Sequence, residues 1–156
     1  MANNNNKTKA QVYQPPTPLG SLFHSLGVSH SVRIPLSKTT TWITTSGQPG
    51  FHLDKNELVT GPLSSSSSTP SHREQISACF NCVESALKAA GVEQGLAAVH
   101  KMTVFLLDMK DDGLVSEVWR ERMPEHRPTW ITIGAAELAL PGMVVEMMAD
   151  AVVWDE

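Results

Sequence analysis

The sequence predicts one α+β domain in which a mixed β-sheet has two helices on one of its faces. Five short segments have strand character, and two longer segments show the three- and four-residue apolar spacing of amphipathic helices. Their order along the chain is β-β-α-β-α-β-β. Because two helices cannot cover both faces of such a sheet, the second face is expected to be buried in an oligomer.

The predicted strands are rich in β-branched side chains and are bounded by turn residues. The clearest is centred on Trp42 and Ile43, because the break Ser46-Gly47-Gln48-Pro49-Gly50 follows it directly. The last strand is the longest and the most apolar. The five predicted segments are His30–Ile34, Thr39–Thr45, Val99–Leu107, Thr129–Gly134 and Val144–Val153.

The two predicted helices have recognisable ends. The first begins at Ser71, which forms an S-x-x-E capping box with Glu74, and it stops at Gly91. The second runs from about Asp112 to Met123, where a proline ends it. The first helix carries a single apolar stripe that is expected to pack on the sheet. That stripe consists of Ile76, Cys79, Phe80, Val83, Leu87 and Ala90.

The domain organisation follows from composition. Residues 1–20 are expected to be a disordered or loosely docked N-terminal tail, and residues 21–156 the folded domain. The tail holds an asparagine run over residues 3–6 and a proline-rich segment over residues 15–18, neither of which builds a core face. A serine run over residues 64–68 lies in a long loop before the first helix, and we expect it to be flexible.

The composition also narrows the possible partners. The 156 residues have a net charge of −4 and no run of lysine or arginine, so a nucleic-acid groove is not indicated. No apolar stretch approaches the ~20 residues that span a bilayer, and the polar N-terminus has no signal-peptide core. We therefore expect a cytoplasmic protein that binds neither nucleic acid nor membranes.

Cysteine and histidine spacing argues against a metal centre. Cys79 and Cys82 form a Cys-x-x-Cys, but the sequence offers neither a second ligand pair nor a thioredoxin-like setting. Two reduced, largely buried thiols are the favoured interpretation. The six histidines show no H-x-x-x-H or H-E-x-x-H spacing. We therefore predict no metal and no cofactor.

Four segments taken together resemble the RidA/YjgF family, also called the L-PSP endoribonuclease family. They are Ser46-Gly47-Gln48, Val83–Gly91, Val104–Met109 and Val144–Val152, and the resemblance covers about residues 28–153. It implies the chorismate-mutase-like YjgF fold, in which three subunits pack their sheets into a central barrel with the helices outside. Small-molecule clefts would then lie between neighbouring subunits of a homotrimer.

The resemblance also implies a chemistry. Family members of established activity hydrolyse reactive enamines and imines, such as 2-aminoacrylate, to ketoacids and ammonia without a metal. An arginine clamps the substrate carboxylate and a glutamate positions the attacking water. The glutamate matches Glu146, for which a structural role at a subunit seam is the alternative. Trp130 stands in the place of the arginine, so this chain is interpreted as a divergent member without the clamp.

The remaining site positions follow from the same comparison. Thr132 matches a position that is often cysteine, and strand alternation points it to the same side as Trp130, into the expected cleft. Arg127 borders the cleft, although strand phase points it away from Trp130. The predicted catalytic residues are Glu146 and His30, and the predicted substrate-binding residues are Trp130, Thr132, Ser46, Ser116 and Arg127.

Three functional hypotheses remain open at this point. The first is a metal-free enzyme that acts on an imine, enamine, enol or related intermediate by hydrolysis, tautomerisation or cyclisation, in a specialised biosynthetic pathway. The second is a non-catalytic trimer that binds a metabolite, with Trp130 either lining the cleft or simply filling it. The third is weak 2-aminoacrylate or 2-iminoacid deamination despite the missing arginine.

Overall fold

The computed structural model describes residues 9–60 and 72–154. They form a seven-stranded sheet and three α-helices. The strands are β1 (Gln11–Tyr13), β2 (Ser31–Pro35), β3 (Thr40–Thr45), β4 (Gln48–Pro49), β5 (Val99–Leu106), β6 (Thr129–Gly134) and β7 (Val145–Trp154). The helices are α1 (Pro18–Ser25), α2 (His72–Ala89) and α3 (Asp112–Arg122), with short 3-10 turns at Gly95–Ala98 and Met109–Asp111.

The sheet has the order β1-β2-β3-β7-β5-β6, and β4 also pairs with β7. Only β5 and β6 run parallel, because the chain crosses over through α3 between them; the other pairs are antiparallel. The long β7 therefore lies near the middle of the sheet, and β6 forms one edge. This mixed α+β architecture confirms the predicted fold class.

One face of the sheet packs against α2 and α3. The apolar stripe of α2 is completely buried, as its three- and four-residue spacing predicted. Trp119 of α3 stacks on Phe80 of α2 with a centroid separation of 5.6 Å, which joins the two helices over the sheet. The sheet contributes buried residues from every second position of β5 and β7: Met102, Val104, Leu106, Val145, Met147, Ala149 and Ala151.

The other face of the sheet is open in the protomer and carries several exposed apolar side chains together with Glu146 and the Lys101–Asp150 ion pair. Trp42, Ile131 and Ile133 are 39%, 47% and 39% exposed on this face, and Trp154 is 73% exposed. Large apolar side chains left exposed on one sheet face are typical of an interaction site. One sheet face is therefore uncovered within the protomer, as predicted, and its burial in an oligomer stays a prediction.

The structure differs from the predicted tail over residues 11–20. Val12 pairs with Val32 across β1 and β2, and Leu19 at the start of α1 is only 1% exposed. Thr17 caps α1, because its Oγ1 accepts the backbone N–H of Gly20 at 3.1 Å. Periodicity missed these elements because they are too short to repeat a pattern. Residues 1–8, the serine run and the capping residue Ser71 lie outside the described residues.

Candidate functional site

A bulge in the sheet brings Gly47 against the carboxylate of Glu146. From Thr44 to Gln48 the chain advances four residues, while its partner β7 advances three, from Asp150 to Met147. The extra residue falls at Ser46-Gly47, and such bulges re-aim neighbouring side chains. A methyl group built on Gly47 would overlap Oε1 of Glu146 and lie 2.8 Å from its carboxyl carbon. Only glycine leaves the carboxylate in this position.

The Glu146 carboxyl is partly buried on the open face of the sheet. Burial raises the pKa of Glu146 above its ordinary value, because the charged form loses hydration. Across β7 its neighbours in register are Pro49 and Phe105, neither of which carries a charge. A carboxylate whose pKa is raised in this way is a stronger proton acceptor than an ordinary one.

The bulge is fixed by hydrogen bonds from its own residues. The N–H of Ser46 donates to the carbonyl of His30 at 2.8 Å, and its hydroxyl donates to the carbonyl of Ser29. The Gln48 Nε2 donates to the Ser46 carbonyl at 3.1 Å. Thr45 Oγ1 accepts the N–H of Ala149 at 3.0 Å, replacing a ladder bond that the bulge interrupts. The position of Gly47 is therefore set by several independent contacts.

The structure places the His30 ring in the protein interior, which differs from the predicted catalytic role. The residue is 1% exposed, and its ring stacks on Phe23 of α1 at 4.0 Å. Its Nδ1–H and its backbone N–H both donate to Oε1 of Gln14, at 2.8 and 3.1 Å. His30 therefore ties the N-terminal segment to the domain and supports the bulge through its carbonyl. Sequence comparison missed this role because the contact with Gln14 depends on the docking of the segment before β2.

Burial of His30 makes the stability of the fold depend on pH. Burial lowers the pKa of His30 from 6.5 to about 4, so the unfolded chain binds a proton more readily than the folded one. The free energy of unfolding should therefore fall as the pH drops from 6.5 towards 4. From this group alone we expect a loss of about 2 kcal/mol between about pH 7.5 and about pH 5.

Urea denaturation at those two pH values measures this effect. In His30→Gln the pH-dependent loss should shrink by about 2 kcal/mol, whereas His24→Gln, which replaces an exposed histidine, should keep it. Glu146 acts in the opposite direction, since its raised pKa stabilises the fold as the pH falls, but it is present in all three proteins. Equal pH dependence in His30→Gln and the native protein would contradict the assignment.

On the helical side of the sheet, Trp130 forms a fixed aromatic wall. Its indole meets Trp119 edge to face, with centroids 5.5 Å apart. Its Nε1–H donates to Oγ1 of Thr132 at 3.2 Å, and the Thr132 hydroxyl donates to Oδ1 of Asp112 at 2.7 Å. The predicted shared orientation of Trp130 and Thr132 is therefore observed. Because the Thr132 hydroxyl is occupied by these bonds, its contribution is to hold the indole.

An open pocket of about 220 Å³ remains beside this wall, between α3 and the start of β6. Trp130 is one of the residues that line this pocket. Arg127 contributes to the same pocket, which corrects the expectation from strand phase: β6 begins only at Thr129, so residue 127 does not follow strand alternation. The lining residues are Ser116, Trp119, Arg120, His126, Arg127, Pro128 and Trp130.

Sequence reasoning missed Arg120 and Gly47. Arg120 lies four residues after Ser116 on α3, so helical spacing places both on one face, and this signal was available. Gly47 was visible only as part of a family segment. Its contact with Glu146 depends on the pairing of β4 with β7, residues that are about a hundred positions apart in the chain.

Glu146 and Trp130 point to opposite faces of the sheet, so one subunit alone does not bring them into the single intersubunit hollow in which the sequence comparison expects both. Trp130 is in register with Met102, which is completely buried under the helices. Glu146 is in register with Phe105 of β5. Phe105 lies three residues after Met102 on that strand, so Glu146 is on the opposite face from Trp130. The structure thus contains two separate groups of predicted site residues.

We call these groups the carboxylate half-site and the indole half-site. The carboxylate half-site consists of Ser46, Gly47 and Glu146, with His30 buried behind it. The indole half-site consists of Ser116, Arg120, Arg127, Trp130 and Thr132.

The two cysteines are reduced and buried, as their spacing suggested. The Cys79 thiol donates to the carbonyl of Gln48 at 3.0 Å, and the Cys82 thiol donates to that of Phe51 at 3.4 Å. Burial raises the pKa of Cys82 to about 11 and that of Cys79 well above its ordinary value. Both thiols are therefore protonated and unreactive.

Within residues 9–60 and 72–154, no three histidine, cysteine, aspartate or glutamate side chains gather as metal ligands. Within the same residues, no helix combines the length and the hydropathy needed to cross a bilayer.

Comparison with known proteins places this fold and these residues in a family. The family model described as Endoribonuclease L-PSP matches residues 29–153. A 2-iminobutanoate/2-iminopropanoate deaminase from Dermatophagoides farinae is 25% identical over 123 residues, which is 79% of each chain.

Solved structures agree on the fold. The chain is similar to a member of the YjgF/YER057c/UK114 family from Mycobacterium tuberculosis, with a TM-score of 0.68 and 22% identity over 93% of this chain and 100% of that one. It is also similar to TdcF from E. coli with bound serine, with a TM-score of 0.53 and 25% identity over 77% and 84% of the two chains. Because the family model spans most of the sheet and both long helices, this chain belongs to the endoribonuclease L-PSP family, the RidA/YjgF group that its four sequence segments resemble.

Proposed function

We propose that this protein is a metal-free enzyme that acts on an imine, enamine, enol or related reactive intermediate in clefts between the subunits of a homotrimer. Each cleft combines the carboxylate half-site of one subunit with the indole half-site of its neighbour. A role in a specialised biosynthetic pathway, in place of general imine removal, fits the substitution of Trp130 for the family's arginine.

The observation that carries this proposal is the separation of the two half-sites on opposite faces of the sheet. Neither half is a complete site, since the Glu146 carboxylate and the pocket beside Trp130 lie on opposite faces of the same protomer. The carboxylate half-site lies on the open apolar face, which a second subunit must cover. The indole half-site lies at the edge strand β6, the part of the sheet that a neighbour can approach most closely.

The chemistry follows from the Glu146 carboxyl. For imine hydrolysis, the carboxylate accepts a proton from water while the water oxygen bonds to the imine carbon. The protonated carboxyl returns this proton to the nitrogen. The carboxylate then moves the remaining hydroxyl proton to the nitrogen as the carbon–nitrogen bond breaks, which forms the ketoacid carbonyl and releases ammonia. For an enamine or enol, the protonated carboxyl instead delivers its proton to carbon. Because its pKa is raised, the Glu146 carboxyl holds a proton more readily than an ordinary one, which suits a group that both accepts and delivers a proton.

Relatives support the same class of substrate. The Dermatophagoides farinae relative is named a deaminase of 2-iminobutanoate and 2-iminopropanoate, and the TdcF structure contains serine, a molecule of similar size. The family model matches residues 29–153, and this range includes every residue of both half-sites. A small amino-acid-like substrate is therefore the starting point for an assay.

Trp130 favours a second candidate, a trimer that binds a metabolite without converting it. The indole has no charge with which to hold a substrate carboxylate, and its only N–H is already bonded to Thr132. Under this alternative the Glu146 carboxyl would have no catalytic role. Binding without product, unchanged by Glu146→Gln, distinguishes this candidate from the enzyme.

A coupled assay tests the proposed function directly. A dehydratase that generates 2-aminoacrylate or 2-iminobutanoate from serine or threonine is mixed with the protein, and ketoacid and ammonia release is followed. We expect the native protein to accelerate release over the uncatalysed decay, and an aromatic imino acid made by an amino-acid oxidase to react faster than either. No acceleration with any of these substrates would contradict the enzymatic proposal.

A further inference from the structure

Two arginine residues contribute to the lining of the pocket of the indole half-site. Arg120 and Arg127 both line it, and its lining includes no aspartate or glutamate. Arg127 Nη1 donates to the carbonyl of His126 at 3.0 Å. Within residues 9–60 and 72–154, neither arginine forms an ion pair. Because guanidinium stays charged at any ordinary pH, two positive charges border one small space.

Other arginines of the helical layer are engaged with partners. Arg73 on α2 pairs with Glu117 and Glu121 on α3, at 2.9 and 2.5 Å. Arg122 donates to Asn81 and to Ser77, which also links α3 to α2. These arginines hold the helices together. Arg120 and Arg127 make no such link, so their charges remain available to an anion.

Apart from Ser116 and His126, the other residues that line the pocket are apolar. Trp119, Trp130 and Pro128 form its walls, and the edge-to-face pair of indoles fixes their orientation. A cavity of roughly 150 Å³ accommodates benzene, so the 220 Å³ available here accommodates one ring with a short acidic chain. The Nε1–H of Trp130 is bonded to Thr132, and the indole therefore offers its ring and no polar contact.

We propose that this pocket binds a small aromatic carboxylate, whose ring lies against Trp130 and whose acid group is held by Arg120 and Arg127. Trp130 carries no charge with which to bind a carboxylate. The positive charge comes instead from Arg120 on α3 and from Arg127 in the loop before β6. Extension of this inference to the reaction, with an aryl-substituted imino acid as substrate, rests on the proposed function. The binding itself does not involve Glu146.

Titration of the full-length protein with 3-phenylpropanoate tests the inference. The readouts are the dissociation constant from calorimetry and the indole N–H signals of Trp119 and Trp130 in a nitrogen-15 NMR spectrum. The neutral 3-phenylpropanamide and the ring-free propanoate serve as matched probes. We expect the acid to bind about tenfold more tightly than either, and Arg120→Gln and Arg127→Gln each to weaken it by about tenfold. Arg73→Gln, which removes an arginine outside the pocket, should leave the affinity unchanged.

The outcomes separate this inference from the proposed function. Equal binding of acid and amide, or no loss of affinity in Arg120→Gln and Arg127→Gln, would overturn the aromatic-acid site even if the protein hydrolyses imines. Selective binding that is retained in Glu146→Gln supports the site even if no imine is converted. Protein stability, measured by urea denaturation of each variant, separates loss of the site from loss of the fold.

Discussion

Replacing Glu146 by glutamine is expected to lower kcat/KM for imine hydrolysis by about 100- to 10,000-fold, the usual contribution of a positioned general base. The amide has nearly the shape of the carboxylate but accepts no proton from water. The fold should persist, because Glu146 forms no ion pair within the described residues. The assay is the coupled release of ketoacid and ammonia from a generated imino acid.

Two measurements sharpen this prediction. Glu137→Gln, a change at an exposed glutamate, is the control and should retain native turnover. The native rate should decline as the pH falls through the raised pKa of Glu146, because the base must be ionised to act. Native turnover in Glu146→Gln would remove the carboxylate from the mechanism.

Mixing two inactive variants tests whether the cleft lies between subunits. Glu146→Gln damages the carboxylate half-site, and Ser116→Trp blocks the pocket of the indole half-site. In mixed trimers assembled from equal amounts of both, about a quarter of the clefts combine two native halves, so about a quarter of native activity should return. If both halves belonged to one protomer, the mixture would be no more active than its components.

Substitution of Gly47 by alanine should reduce turnover as strongly as the loss of the carboxylate itself. The added methyl group would occupy the place of Oε1 of Glu146, so the carboxylate must move by about the length of a bond. A displacement of about 1 Å in a catalytic group costs roughly 100-fold in rate. The expected result is therefore at least about a 100-fold fall in kcat/KM, with retained trimer mass in sedimentation and retained secondary structure in circular dichroism.

Gly113→Ala is the matched control for this variant. A methyl group at residue 113 of α3 meets no atom within 4 Å. Because alanine favours a helix over glycine by about 1 kcal/mol, this variant should keep native activity and unfold at slightly higher urea concentration. If Gly47→Ala were as active as Gly113→Ala, the fixed position of the Glu146 carboxylate would have no catalytic importance.

Local patterns were sufficient for most of the fold. The apolar stripe on α2 and the alternation along β5 and β7 each use a period that is readable in a single segment, and the structure places both as expected. β1 and β4 were missed because strands of three and two residues show no alternation, and α1 was missed because it begins within the proline-rich segment. Val12 against Val32 and Gln48 against Met147 are pairings that no local period encodes.

The identity of the candidate residues was readable from the sequence, and their arrangement was not. The match to family segments singled out Glu146, Trp130 and Ser116 without any coordinates. Whether Arg127 reaches the pocket depended on where β6 begins, and whether His30 is accessible depended on the docking of Gln14 and Phe23. The position of Arg127 and the burial of His30 both depend on long-range packing. A register shift of one residue would turn a strand side chain to the opposite face of the sheet.

The sequence by itself determined the α+β class, the helical face of the sheet and the apolar character of the opposite face. Only the tertiary structure decided that Glu146 and Trp130 occupy opposite faces, and that Gly47 and Arg120 belong beside them. The physical reason is that strand and helix periods act within about ten residues, whereas register between β4, β5, β6 and β7 is set by burial of the whole core.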